Sequence, residues 1–336
     1  MKAALANNAT TRAAGGNTEV SFMVDKKYRM TGTINAAGDV LSVKTVVPSP
    51  VFGDMAVDTT YSGYKDFGGV RFPSQIAQTQ GGQPAFEISV NNVTVNPVVS
   101  VIIPASVYMA PASTPITVTS QEVAPGVFYL TGGSHHSMVI NQRDHIVIVD
   151  LPLSIERGDA VIAKAKELIP SKPVRYVINT HVHFDHSSGL RAGVAEGATI
   201  VTHSSNRAFF SRALGTRATL SPDKAAGKPV RVQGVGARGS LTDGTRRIEM
   251  YQIMNNTHNL GFLMVYLPAE KLLFEADAYT PGAANAPLPT APVPNAQALA
   301  DNITKLKLDV AQILPAHGPR ATAMADLNQV AAIGRK

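Results

Sequence analysis

The stretch VRYVINTHVHFDHSSG, residues 174–189, runs a short β-type apolar segment straight into three histidines and an aspartate. A strand that reads as a near-continuous apolar run is covered on both faces, so this one belongs inside a layered α/β sheet. His181, His183, Asp185 and His186 then follow at i, i+2, i+4 and i+5. Residues two apart in a strand share a face, so His181 and His183 are expected to turn both imidazoles toward one metal ion from the strand's end. Asp185 and His186 fall where the chain leaves the sheet and reach a neighbouring position. The carboxyl ends of strands are where open α/β sheets place their chemistry. A solvated loop with incidental histidines would explain one pair. It does not explain four ligand-type residues in six positions when the chain has nine histidines in all.

Cysteine is absent, which excludes disulfides, thiol catalysis and thiolate metal ligands. A metal site in this chain must therefore use imidazole and carboxylate. The 30 basic and 24 acidic residues give a net charge of +6, and the basic residues are scattered. That pattern reads as a solvated surface and argues against a nucleic-acid partner, which needs clustered basic residues. A small-molecule substrate, with a slight attraction for anionic ones, is the expected partner. No apolar run approaches the 18 or more residues of a membrane span.

At 336 residues the chain has room for about two domains. Residues 1–18 contain no apolar signal core and are expected to form a disordered lead-in. Residues 19–98 alternate apolar and polar in short runs broken by Gly, Pro and Asn, as in EVSFMV, VLSVKTVV and FEISVNNVTV. This predicts an antiparallel β domain with one buried face, in which Tyr61, Tyr64 and Phe67 are packing residues. Residues 99–118 lie in a Pro-rich stretch and are expected to be a linker. Residues 119–336 form the second domain. Here strands such as HIVIVD alternate with helix-period runs, the first opening at Ser154 as a cap and closing at Pro170. The alternation predicts a mixed, layered architecture.

Beyond residue 174 the sequence resembles a known family in four successive blocks. His181-Val-His183-Phe-Asp185-His186 fits the HxHxDH signature of the metallo-β-lactamase superfamily. THNLGFLMVYLPAEKLLFEADAY matches the family's second histidine and acid blocks, with His258 and Asp277 on ligand positions, and LPAHG supplies His317. The similarity spans residues 119–325. It implies an α+β fold, the αββα metallo-β-lactamase sandwich, here preceded by a smaller antiparallel β-rich domain. It implies two Zn2+ ions, or other divalent metals in their place. His181, His183 and His258 would hold the first; Asp185, His186 and His317 the second; Asp277 would bridge them. It also implies a hydrolase in which a metal-bridging hydroxide attacks the substrate, with Asp185 orienting it or accepting its proton.

Asp277 stands where the family's true β-lactamases usually carry Cys or Ser. An Asp there resembles glyoxalase II-like thioesterases, lactonases and phosphodiesterases. The lysine with which one β-lactamase subclass holds the drug carboxylate would fall near Thr280, so that contact is missing. Ester, lactone or thioester hydrolysis ranks first, β-lactam hydrolysis second and phosphoester hydrolysis third. A nucleic-acid-processing member, a non-catalytic binding protein and a di-iron redox member are the competing classes. All seven ligand positions are filled, and no Gly-rich nucleotide motif accompanies them. Asp150 ends HIVIVD, where the family has an acid that orients the ligand-bearing loop; holding a metal-ligating side chain in place and capping a turn both fit. His135 and His136 fall in a loop that the resemblance implies lies beside the metals, either touching substrate or hydrogen-bonding to metal-ligating side chains, or as exposed loop histidines. Tyr279 points to the pocket or to the core. His203 is expected to be structural and His145 to be an exposed turn residue. Residues 280–295, rich in Pro and Ala, are expected to be a pocket wall or a connector. The N-terminal β region is a candidate dimer surface, lid or interaction module. Family members with such appended domains look like exported bacterial proteins, which suggests a periplasmic or secreted location.

Overall fold

The short alternating segments of the first ninety residues join into one antiparallel sheet. The protein is described here by a computed structural model covering residues 2–109 and 115–335; Met1, residues 110–114 of the expected linker, and Lys336 lie outside the described residues. The chain divides into two units, Met1–Thr114 with Thr216–Pro222, and Pro115–Gly215 with Asp223–Lys336.

In the first unit a five-residue helix, α1 (Lys2–Ala6), precedes β1 (Thr10–Ala14), β2 (Asn17–Val24), β3 (Tyr28–Ile34), β4 (Val40–Ser49), β5 (Gly53–Asp66), β6 (Arg71–Gln80) and β7 (Gln83–Ser89). The strands lie in chain order, a pure meander. The expected lead-in is thus not disordered where it is described. Gly15 and Gly16, both at positive φ, make a two-residue hairpin that sets Ala14 against Asn17. Arg12 and Glu19 pair across it at 2.7 Å. The expected buried face is also thin, because Val51, Phe52, Met55 and Ala218 are the buried apolar side chains among the described residues of this unit. Beside them, Asp54 accepts the N–H groups of Thr219 and Leu220 at 2.9 Å, which attaches the 216–222 segment. Tyr64 is a packing residue, its hydroxyl donating to the Val40 carbonyl at 2.8 Å. The last strand stops at Ser89, short of the alternation, and the expected linker holds one four-residue helix, α2 (Ala105–Tyr108).

The second unit contains two sheets. The first is built from β8 (Thr119–Ala124), β9 (Val127–Thr131), β10 (Ser137–Asn141), β11 (Ile146–Val149), β12 (Val174–Ile178), β13 (Thr199–His203) and β14 (Arg231–Val235), with α3 (Ile155–Leu168), α4 (Phe184–Ser187), α5 (Leu190–Ala195) and α6 (Ser204–Ala213) interspersed. β8 to β11 run antiparallel and β11 to β14 parallel. The second sheet comprises β15 (Arg238–Thr242), β16 (Arg247–Gln252), β17 (Leu263–Leu267), β18 (Leu272–Glu275) and, beyond α7 (Pro294–Leu306), β19 (Gln312–Pro315); α8 (Met324–Ala331) closes the chain. β18 and β19 are parallel.

Period-two alternation decides which side each residue fills. Met138, Ile140, Val147 and Val149 join the cluster shared with Met250, Met264 and Phe274 of the second sheet, and Leu299, Ile303 and Leu327 of α7 and α8 belong to it too. Val139, Ile146 and Ile148 are equally buried but lie on the opposite face, where α3 and α5 supply Val161, Ile162 and Leu190. This is the αββα sandwich. Ser154 caps α3 as expected, accepting the Arg157 N–H at 3.1 Å.

The segment after the histidine motif is held by close approach of α3 and α5. A Cβ on Gly158 would lie 2.8 Å from the Gly189 carbonyl oxygen and 3.1 Å from Ala192 Cβ, so the helices meet where neither residue has room for more. Helix propensity alone would favour Gly158→Ala by about 1 kcal/mol. Overpacking is expected to win, with a net loss of about 1–2 kcal/mol in urea unfolding at unchanged slope. A stabilised variant would mean that α3 and α5 part freely.

Candidate metal centre

The candidate donors lie in loops and in one short helix at one end of the two sheets. Asp150 follows β11, His181 and His183 follow β12, and Asp185 and His186 lie in α4. His258 comes from the β16–β17 loop, Asp277 from two residues past β18, His317 from two past β19, and His135 from the β9–β10 loop. The strand ends at Ile178, so His181 and His183 are not related by strand alternation as expected. They sit on the turn that follows, and their rings still meet, with centroids 4.6 Å apart.

Backbone hydrogen bonds join the loops of the two sheets. The Leu263 N–H donates to the Thr180 carbonyl at 2.8 Å, bringing the start of β17 and its preceding His258 against the histidine motif. The His136 N–H donates to the Ala316 carbonyl at 2.9 Å, and the Ala316 N–H donates to the Glu275 carbonyl at 2.8 Å. These bonds place residues distant in sequence side by side.

Two groups result, each with its donor atoms within 4.8 Å of one another: His181, His183, His258 and Asp277, and His135, Asp185, His186 and His317. Asp277 lies between them. Its Oδ2 is 2.7 Å from His258 Nε2 and 3.2 Å from His181 Nε2. Its Oδ1 is 2.6 Å from His317 Nε2 and 3.1 Å from His186 Nε2. One carboxylate therefore faces both groups.

The donors fit a divalent first-row ion: imidazole nitrogen and carboxylate oxygen, in sets of four. His186 gives a sharper test. Its Nδ1 lies 3.1 Å from Asp150 Oδ2. With that nitrogen donating, the Nε2 of a neutral ring turns a lone pair toward Asp277, which only a proton or a metal ion makes favourable. Burial opposes charge on His186, yet hydrogen bonding to Asp150 and Asp277 outweighs it and raises the group to about 10. Burial likewise opposes charge on Asp277, but hydrogen bonds from His181, His186 and His317 hold it far below the usual carboxylate range. His181 goes the other way: burial pushes it down to about 4, the neutral form that ligates. Burial lowers His183 and His135 as well. Asp185 stays low because the His135 bond and the His186 charge exceed the burial effect.

Asp150 is fully buried, accepting the Thr180 N–H at 2.8 Å and its hydroxyl at 2.7 Å besides facing His186. His135 is buried within the second group, while His136 is not in either group; its Nδ1 is 2.5 Å from the Tyr129 hydroxyl, which also donates to the Pro315 carbonyl. Neither is an exposed loop histidine. Tyr279 is buried yet borders a cavity of about 440 Å³ shared with Asp277, Ala283, Pro287, Val293 and Arg320. The 280–295 segment supplies much of that cavity's wall. His203 caps α6, accepting the Ser205 N–H at 3.3 Å, away from both groups. His145 is not exposed; it is buried edge-on to Tyr176 with Nδ1 2.7 Å from Asp144.

Two residues had no place in the sequence reading. Glu275 is fully buried, and burial raises its carboxyl well above the usual range. Its Oε2 accepts the N–H groups of Ala278 and Tyr279 at 3.0 Å, pinning the turn that carries Asp277. A carboxylate closing the apolar run KLLFE was its available signal. Arg157, buried on α3, donates to the carbonyls of Thr117, Thr131 and His135 and so fixes the β9–β10 loop. Nothing local in the sequence marks it.

Among solved structures, the chain is similar to a metallo-β-lactamase from Pontibacter korlensis at 17% identity and a TM-score of 0.51, covering 65% of this chain and 98% of that one. A metallo-β-lactamase from Hirschia baltica gives 20% identity and 0.47 over 65% and 98%, and FIM-1 from Pseudomonas aeruginosa in its mono-zinc form 17% and 0.47 over 66% and 96%. At these identities the first likeness speaks for the fold. No curated protein matches the chain. The family model of the metallo-beta-lactamase superfamily matches residues 130–317, more than half of the sequence. The chain belongs to the metallo-β-lactamase superfamily and is a metal-dependent hydrolase.

Proposed function

We propose that the protein is a dinuclear zinc hydrolase of a small-molecule ester, lactone or thioester. The observation that carries this reading is Asp277, whose two oxygens face separate histidine groups. A carboxylate in that place can be shared by two hard or borderline cations, which a thiolate or hydroxyl does not do as symmetrically. His181, His183 and His258 would hold one ion, and Asp185, His186 and His317 the other. Bound zinc would supply Lewis acidity toward the substrate carbonyl and a water acidified to about 7 from 15.7.

The chain's own residues do the rest. Asp185 is the most open donor, with 47% of its side chain accessible, and its carboxyl is held below the usual range, so it stands as a carboxylate that can orient the attacking water. Asp150 fixes the ring of His186 and the backbone at Thr180. Phe262, fully buried, packs 5.0 Å from the His181 ring and 5.3 Å from the His258 ring, excluding water from behind them. The adjoining cavity, half walled by the 280–295 loop, is of a size to receive a small acyl substrate. β-Lactam amide hydrolysis is the second reading, drawn from the names of the similar structures.

Elemental analysis is expected to find about two zinc ions per chain, and initial rates to favour a lactone or thioester over nitrocefin and a bis-aryl phosphate. Nitrocefin far ahead would move the assignment to the β-lactam reading, and a protein without metal would sink both. Asp277→Ala is expected to lose metal and activity by orders of magnitude with the fold retained, whereas His203→Ala leaves both near wild type; equal effects would refute the placement of Asp277. Asp150→Ala is expected to weaken metal binding about 10–100-fold in chelator competition, and an unchanged affinity would reduce Asp150 to a turn cap. Shortening residues 283–289 is expected to change KM or substrate preference while zinc content holds, and unaltered kinetics would remove that loop from the site.

A further inference from the structure

Resting on the dinuclear reading, we infer that His135 is a direct ligand of the second metal ion, beside Asp185, His186 and His317. The residue belongs to none of the blocks that carry the family resemblance. It comes from the β9–β10 loop, about fifty residues before the histidine motif.

The loop holds it rigidly. Arg157 donates to its carbonyl at 3.4 Å and to that of Thr131 at 3.0 Å. One residue on, the His136 backbone is bonded to Ala316 and its ring to Tyr129, so the chain is fixed on both sides of His135. The imidazole is fixed as well. Its Nδ1 lies 2.9 Å from Ser134 Oγ, which leaves Nε2 as the nitrogen turned into the group. That nitrogen is 3.2 Å from Asp185 Oδ2, and the ring centroid lies 4.1 Å from that of His317 and 5.1 Å from that of His186. With Nδ1 donating to the serine, Nε2 presents a lone pair beside a carboxylate and two further imidazoles. Four such donor atoms within 4.8 Å of one another form a set of the kind that holds a zinc-like divalent cation. The second site then has five protein donors, counting the shared Asp277, against four for the first.

The other role open to His135 is to donate from Nε2 to Asp185 and position it without touching metal. Proton NMR of the cobalt-substituted protein separates the two, because each ligating imidazole whose distal nitrogen carries hydrogen gives an exchangeable, hyperfine-shifted N–H signal. With His135 bound, six such histidines surround the two ions, His181, His183 and His258 at one and His135, His186 and His317 at the other. Six signals are expected in the wild type, and His135→Ala is expected to remove one. The same variant is expected to weaken the second ion by more than the roughly 10–100-fold that loss of an outer hydrogen-bond partner costs, with His135→Gln as a bulkier check on folding. Five signals in a wild type carrying two cobalt ions, or six that persist in His135→Ala, would overturn the assignment while leaving the dinuclear reading intact. Uptake of fewer than two ions by the wild type would overturn both.

Discussion

The arrangement of the metal centre depends on one buried carboxylate. Asp150 ends β11 with its backbone in the left-handed region at φ 56°, a conformation that Asp adopts more readily than most residues. The carboxylate turns back across the parallel pair to accept both donors of Thr180, and it faces Nδ1 of His186. Three things follow from that contact. The chain leaves β12 in a fixed direction, the His186 ring aims Nε2 at Asp277, and the Thr180 carbonyl is left free to receive Leu263 of the second sheet. Both donor groups therefore take their register from the same residue, although Asp150 belongs to neither.

Charge in the centre is arranged with similar economy. Asp277 and Asp185 are both held below the usual carboxylate range, while complete burial raises Glu275, two residues from Asp277, well above it. An ionised Glu275 would add repulsion behind Asp277 in a site of low dielectric. Its Oε2 accepts two backbone N–H groups, and its backbone carbonyl receives the Ala316 N–H. The turns bearing Asp277 and His317 are thereby tied to each other. The imidazoles divide too: burial pushes His181 toward its neutral form, whereas against burial the Asp150 and Asp277 carboxylates favour positive charge at His186, which a proton or a metal ion at Nε2 would supply. Because the donors converge only in the folded chain, metal bound there would stabilise the fold.

The features that could be read from sequence are those whose cause is local. The histidine motif packs its donors into six positions, and the runs VRYVIN and HIVIVD announce strands buried on both faces. His258, Asp277 and His317 came through family blocks, since no spacing rule relates residues 181, 258 and 317. Where the determining contact is long-range, the sequence was silent or misleading. His135 and His136 could not be told from exposed loop residues, because Arg157, Tyr129 and Pro315 decide their burial. His145 looked like a turn residue and is buried against Tyr176. The edge strand β1 had a local signal, the Gly15–Gly16 pair, but its polar composition concealed it.

The substrate is illegible for a different physical reason. The cavity beside Asp277 owes its wall to a loop rich in Pro and Ala, residues that offer few donors and bury little. Its shape comes from prolines that fix φ and from a few clamps, such as the Arg320 guanidinium donating to the Gly282 carbonyl at 3.2 Å. A second clamp is Gly318, beside His317, where a Cβ would lie 2.7 Å from the Pro281 carbonyl oxygen. Both clamps tie the loop's first residues to the segment that carries a metal donor, and among the residues from 287 to 293 no strand or helix is present. Changes there can remodel the cavity without moving any donor. The same centre can consequently serve several chemistries: family membership names the hydrolase class, and the fold alone does not name the molecule.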